Sequence, residues 1–323
     1  MKRVASHARI LAAMLALAGG HQSAAGADAY PSKPIRLLVP YAPGGAVDAT
    51  ARALGAQLSG SLGQTVIVEN KPGASGMIAV ENLTRAAPDG YTILIDTSAI
   101  AMNPSVYSKA LYRPENLRPV AQVMSMPFVI AANNATGDGS LPKFLALLRE
   151  RPGSLNAASS GTSSRLFAEL FRLQTKTEFM SIIYPGAAPA IMAVMKNDCQ
   201  LIAMDVANIA KFITSKQLSG LVVSGDKRSS ALPDVPSAAE AGIPGFDVTT
   251  WFGIFAPAGT PQPIVDKINQ SIREAARAPA VSELLKSSAA DPSSMTAAEF
   301  DDFFGKEVTR WKTVVQQAKI QID

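Results

Sequence analysis

The chain has 323 residues and a formal charge of +4, and its length favours two domains or lobes over one. Both histidines (His7 and His21) and three cations (Lys2, Arg3 and Arg9) fall within the first 27 residues, so the remainder carries a charge of about +1 and no histidine. That excludes a Ser-His-Asp or Cys-His arrangement and a His-ligated metal, and without a basic cluster interleaved with aromatics a nucleic-acid partner has no support.

Residues 1–27 have the anatomy of a secretory signal peptide. The basic start leads into an apolar run at 10–18, and Ala25-Gly26-Ala27 or Ala27-Asp28-Ala29 offers a small-residue cleavage site. No cysteine follows for lipid anchoring, and no later run reaches the roughly 18 apolar residues of a spanning helix. The expectation is an exported, soluble protein. Cys199 stands alone, so no internal disulfide is expected, and a lone Cys beside an apolar run reads as a buried thiol.

Strand and helix patterns then alternate along the chain. Strand-like runs occupy 35–39, 65–69, 91–97, 120–124, 128–132, 155–160, 179–184, 200–205, 218–224 and 246–256. After the first, Val47, Ala51, Leu54 and Leu58 mark one helical face. Ser140 caps a helix bearing Leu141, Phe144, Leu145 and Leu148, and another carries Leu166, Phe167, Leu170 and Phe171. Ile264, Ile268 and Ile272 share a face within 263–277. Thr296 and Glu299 form a capping box ahead of Phe300, Phe304, Val308, Trp311 and Val315. Continuous apolar strands between helices predict an α/β fold with mostly parallel sheets flanked by helices. Short junctions near 123–130 and 224–237 suit a chain that enters a second lobe and returns, leaving a cleft between lobes.

Candidate site residues sit in loops that end strands and begin helices. The first loop, in VPYAPGGAVDATARAL (39–54), holds Tyr41, Ala42, Gly44 and Gly45, and matches neither the P-loop nor the dinucleotide fingerprint. Its glycines permit close backbone approach, and helix-start amides attract anions. Asp48 either satisfies free amides in the first helical turn or meets a ligand amine. Thr97, Ser98 and Asn103 lie at another strand end. In AASSGTSSRLFAELF (157–171), Ser160, Gly161, Thr162, Ser163 and Ser164 form either a carboxylate seat or a cap cluster, followed by Arg165. Tyr184 opens a Pro/Gly loop, Asp205 ends a strand as an N-cap or a ligand contact, and Trp251 is a core aromatic or a cleft wall. These residues include no nucleophile–base pair. The pattern favours binding by neutral donors over catalysis, with no cofactor and no metal.

The succession PYAPGG, NKPGA, APDGYT, LPDVP and APAGTP, in this order across about 30–322, resembles the Bug family of periplasmic solute receptors for tripartite tricarboxylate transporters. The resemblance implies a two-lobed type II periplasmic binding protein that closes on a small organic acid and serves membrane permease subunits, acting as a monomer. It implies lobe 1 at 28–126 plus 228–323 and lobe 2 at 127–227. Carboxylate contacts fall at 41–48 and 160–164, with Asp205 where some members meet an amino group. Three positions depart from the family pattern. Arg165 stands where His is common, Tyr184-Pro-Gly-Ala-Ala replaces a Lys/Gly-bearing segment, and Ala46 and Val47 follow the first glycines. A sensory receptor signalling to a membrane kinase would use the same cleft. A periplasmic hydrolase using a serine of 160–164 is opposed by the missing histidine.

Overall fold

The computed structural model describes residues 30–136 and 139–320, so the signal-peptide reading and both histidines lie outside the described residues. The first strands are β1 (Ile35–Val39), β2 (Val66–Asn70) and β3 (Thr92–Thr97), each followed by a helix or loop on the same edge. Helices α1 (Ala46–Leu62), α2 (Met77–Thr84) and α3 (Ala99–Val106) intervene. Helix α1 buries the expected face of Val47, Ala51, Leu54 and Leu58 and ends at Gly63, whose φ of 68° terminates it in the left-handed region.

The apolar runs at 120–124 and 128–132 are a single strand. Strand β4 (Leu117–Asn133) extends over 17 residues, and Ser125 and Pro127 interrupt its apolar pattern without breaking it. Its first part pairs antiparallel with β9 (Thr249–Pro257), and its second part with β7 (Leu201–Asp205) and β8 (Leu218–Val223). These partners take up the backbone groups that a broken strand would leave unpaired.

Around β4 the sheet order is β2-β1-β3-β9-β4-β7-β5-β6, with β5 (Asn156–Ser159) and β6 (Met180–Ile183) at the far side. Pairs β1–β2, β1–β3, β5–β6 and β5–β7 are parallel, as continuous apolar strands predict. The sheet as a whole is mixed because β9 and β4, which carry the chain between its halves, run antiparallel to their neighbours.

The remaining helices are α4 (Leu141–Glu150), α5 (Thr162–Thr175), α6 (Ala187–Met195), α7 (Val206–Thr214), α8 (Gln262–Arg277), α9 (Pro279–Ser287) and α10 (Ala297–Ala318). A two-residue strand, β10 (Asp291–Pro292), pairs with β4 beside Met124. Helix α4 is capped by Ser140 and α10 by the Thr296–Glu299 box, both as the sequence predicts.

One core cluster runs from the first half into the second through α10. Trp311 of α10 packs on Phe167 of α5 with ring centroids 5.1 Å apart, and Trp251 of β9 meets Phe300 at 5.7 Å. Glu307 Oε2 accepts from both Trp251 Nε1 and Trp311 Nε1, each at 3.1 Å. Trp251 is therefore core, and a buried indole finds its hydrogen-bond partner there. Cys199 is a buried free thiol, as the sequence suggests.

Where the chain passes between halves, Ser224 ties the crossings together. Its Oγ accepts from the Phe128 amide at 2.9 Å and donates to the Val248 carbonyl at 2.5 Å, while its own amide donates to Phe128 O at 2.8 Å. A buried group that loses its partner costs about 1–3 kcal/mol. Ser224→Ala is expected to lower the unfolding free energy by about 2–4 kcal/mol, read as a lower midpoint in urea denaturation.

Candidate ligand-binding site

The carboxyl ends of β1, β3, β5, β6 and β7 all open onto one cavity of about 830 Å³. This is the edge of an α/β sheet at which loops lead into helix N-termini. Helices α1, α5 and α6 begin there with Gly45, Gly161 and Gly186 as N-caps, and none of the three has a side-chain cap. At α4 and α10, Ser140 and Thr296 satisfy the corresponding amides. The first amides of a helix lack intrahelical acceptors and sit at the positive end of its dipole, so glycine caps leave donors for an anion. Gly161 (φ 151°) and Gly186 (φ 121°) adopt backbone conformations that side-chain-bearing residues rarely reach.

The first loop is held from beneath. Asp48 Oδ2 accepts from the Gly44 amide at 2.9 Å and from Arg52 Nε at 3.0 Å, and Oδ1 accepts from Asn70 Nδ2 at 2.9 Å. Asn70 Nδ2 also reaches Tyr41 O at 3.0 Å. The Arg52 guanidinium, then the Gly44 amide and Asn70, pull the Asp48 carboxyl down to about 2. Of the two roles open to Asp48, the structure shows the internal one: it fastens the loop.

Beside it, the Tyr41 hydroxyl lies 3.1 Å from Asp96 Oδ1 and 2.9 Å from Thr97 Oγ1, and the Thr97 amide donates to Asp96 Oδ1 at 2.7 Å. Tyr41 and Thr97 line the cavity, and Asp96 lies under them, 1% exposed. Ser98 also lines it, and its fully buried Oγ has no hydrogen-bond partner, leaving a hydroxyl for a ligand. Asn103 lies outside the lining and holds the neighbouring loop through Ser75 O at 3.0 Å.

From the second half, Ser160, Gly161, Thr162, Ser163 and Ser164 line the cavity. Ser164 Oγ is committed to Ala203 O at 2.6 Å, and Ser160 Oγ contacts Met204 Sδ at 3.8 Å. The half-buried hydroxyls of Thr162 and Ser163 have no side-chain hydrogen bond among the described residues. Asp205 caps α7, accepting from the Asn208 amide at 3.1 Å and from Asn208 Nδ2 with both oxygens. It also lines the cavity, where burial pushes its carboxyl above the ordinary range. Among the described lining residues it is the only charged side chain.

The cavity thus brings together Tyr41, Gly45, Thr97, Ser98, the segment 160–164 and Asp205. Ala42, Gly44, Asp48 and Tyr184, also expected there, are not among the lining residues. Ala42 is exposed on the turn, the Gly44 amide is engaged by Asp48, and the Tyr184 hydroxyl shares a hydrogen bond with Cys199 Sγ at 3.5 Å. Arg165 also stays out of the lining, and its Nε is buried without a partner. Sequence reasoning missed the cavity floor, where Met124, Met126 and Phe128 of β4 lie beside Phe252 of β9. Their every-second-residue spacing was the available signal, hidden by reading β4 as two strands.

The family model for the tripartite tricarboxylate transporter family receptor matches residues 50–320, so the chain belongs to this family. Among solved structures, that of the periplasmic binding protein BugD is 30% identical with a TM-score of 0.75, covering 91% of this chain and 100% of its own. A Rhodopseudomonas palustris protein solved with adipate is 28% identical with a TM-score of 0.77, again over 91% and 100%. MatC from the same organism, solved with bound malate, is 30% identical with a TM-score of 0.72, over 88% and 100%. The similarity to BugD bears out the Bug-family resemblance read from the sequence motifs.

Asp96 gives the site a pH signature. Burial pushes its carboxyl up to about 7, opposed in part by the Thr97 amide and the Tyr41 hydroxyl. The folded state therefore holds this proton more tightly than the unfolded chain. The resulting stability is fully present below the unfolded value of about 3.8 and is lost as pH rises through about 7, up to about 4 kcal/mol in all. Asp96→Asn keeps an acceptor for Tyr41 and Thr97 but cannot ionise. Melting curves across about pH 5–8 are expected to show a clearly shallower decline in the variant than in the parent protein.

Proposed function

We propose that this chain is a periplasmic receptor that captures a small carboxylate-bearing organic solute in the cavity and delivers it to a tripartite tricarboxylate transporter permease. The observation that carries this reading is the set of three glycine-capped helix starts at one cavity, where none of the described lining side chains is cationic. Family membership supports the receptor role, and the adipate and malate in its structural neighbours support the ligand class. The protein acts as a monomer that binds and releases its ligand unchanged.

The two halves act as lobes, with β4 as one crossing. The return crossing falls at Val248, later than the 227 implied by family resemblance. The support is local: Val223 N donates to Pro236 O, Ala238 N to Val223 O and Gly225 N to Phe246 O, which keeps 224–246 with the second half. Phe246 also packs on Phe171 of α5. The lobes are then 30–127 with 249–320, and 128–248. Closure brings the α1 amides and the 160–164 segment onto the same ligand, and differential affinity for the closed form drives the equilibrium.

A thermal-shift screen of small carboxylates tests the reading, because a ligand selective for the native state raises the melting temperature. In Gly45→Val, the nearest atom to the added Cβ is Ala42 O at 3.9 Å and φ is −82°, so the variant is expected to fold. Its branched side chain crowds the approach to the α1 amides. Calorimetry is expected to show at least a tenfold loss of affinity; normal binding would reduce the loop to a turn. Thr162→Val with Ser163→Ala is expected to weaken binding by roughly five- to 150-fold, at about 0.5–1.5 kcal/mol for each of the two hydrogen bonds lost.

A further inference from the structure

The cavity pairs uncapped helix starts with an apolar floor and wall, and we infer from this that its ligand is amphipathic: a single carboxylate at the helix starts joined to an uncharged apolar body of ring or six-carbon size. This deepens the carboxylate-receptor reading and rests on it.

The floor supplies the first observation. Met124 and Met126 of β4 are registered with Phe252 and Thr250 of β9, and Phe128 is registered with Asp205 of β7. Residues 124, 126 and 128 share a face of the strand, so at about 3.3 Å per residue the apolar row runs for roughly 13 Å. That length accepts a ring or a six-carbon chain. The cavity volume of about 830 Å³ lies within the roughly 300–1,000 Å³ typical of drug-sized ligands.

The wall beyond Met124 supplies the second. Leu284, Ser287 and Ser288 line it from the last turn of α9, which presents a helix C-terminus, the negative end of the dipole. Both serine hydroxyls are turned to their own helix, donating to Leu284 O at 2.7 and 3.1 Å. Lys286, in the same turn, is exposed and outside the lining. A second carboxylate here would lose its water and meet apolar side chains and a helix carbonyl end, with no cation to offset the loss. At the junction with the second half stands Asp205, another group that disfavours an anion. The amides that favour an anion lie at uncapped helix starts, the glycine-capped ones of α1, α5 and α6 and that of α3 at Ser98.

Calorimetric titration with straight-chain monocarboxylates from butanoate to octanoate, benzoate, phenylacetate, malate and adipate tests this. Affinity is expected to rise roughly two- to fourfold per methylene up to about six carbons. Malate and adipate are expected to bind at least tenfold more weakly than hexanoate. Leu284→Ser and Met126→Ser, checked for folding by melting temperature, are expected to flatten the chain-length series. A flat series in the parent protein, with tight malate or adipate binding lost in Gly45→Val, would overturn the apolar-body assignment and leave the carboxylate receptor standing. Failure of every acid to bind would overturn the receptor reading, and this inference with it.

Discussion

Unpaired amides at helix starts govern how this molecule is built. A glycine N-cap gives up the side-chain acceptor that Ser140 supplies to α4 and Thr296 to α10. At α1, α5 and α6 that loss is incurred three times around one cavity. The first loop shows how such an arrangement stays ordered. Asp48, Arg52 and Asn70 consume one another's hydrogen bonds and take the Gly44 amide and Tyr41 carbonyl with them, so the loop's polar groups are satisfied from below. What remains toward the cavity is the backbone beyond Gly45. The requirement extends outward to topology, because both halves must turn the carboxyl edges of their strands toward each other. A strand as long as β4, paired on one half and then on the other, meets that requirement.

Much of this was legible in the sequence wherever the physics is local. The capping box at Thr296 and Glu299, the Ser140 cap and the apolar face of α1 depend on neighbours within a few residues, and all three are present. The loops at Gly45 and 160–164 were legible for the same reason. Non-local contacts were harder to read. Ser125 and Pro127 look like a junction until the partner strands that keep β4 continuous are known. Tyr184 sits in a loop of the right type, yet its hydroxyl engages Cys199, a pairing that depends on how β6 and β7 flank β5. Asp205 is a case where two readings coexist, since one carboxylate both caps α7 and walls the cavity.

The back of the molecule constrains how the front can move. Helix α10 belongs by sequence to the end of the chain, but Trp311 reaches Phe167 in the second half while Phe300 and Phe304 pack around Trp251 in the first. Glu307 joins the two tryptophans through one carboxylate oxygen, and its other oxygen lies 3.3 Å from an Arg310 guanidinium nitrogen. Burial raises the Glu307 carboxyl, while the two indole donors and then Arg310 favour its charged form. Separating the halves here would expose aromatic surface and strand a buried carboxylate, both of which oppose it. Motion is therefore cheaper on the cavity side, where the lining includes loops and helix starts, than along this seam.

A cavity with no cationic side chain among its described lining residues also has consequences for release. An arginine clamp holds a carboxylate by charge-assisted, bidentate bonds, roughly twice as strong as neutral ones. Partial charges on amides and hydroxyls from opposite halves act strongly only when both halves reach the ligand together. Opening then removes the contribution of one half at a stroke, and water competes for the rest. The Asp205 carboxylate and the carbonyl end of α9 work in the same direction, since neither adds attraction for an anion in the open state. On the proposed reading, a receptor that must surrender its ligand gains from this design, because affinity would reside in the closed geometry rather than in any single ion pair.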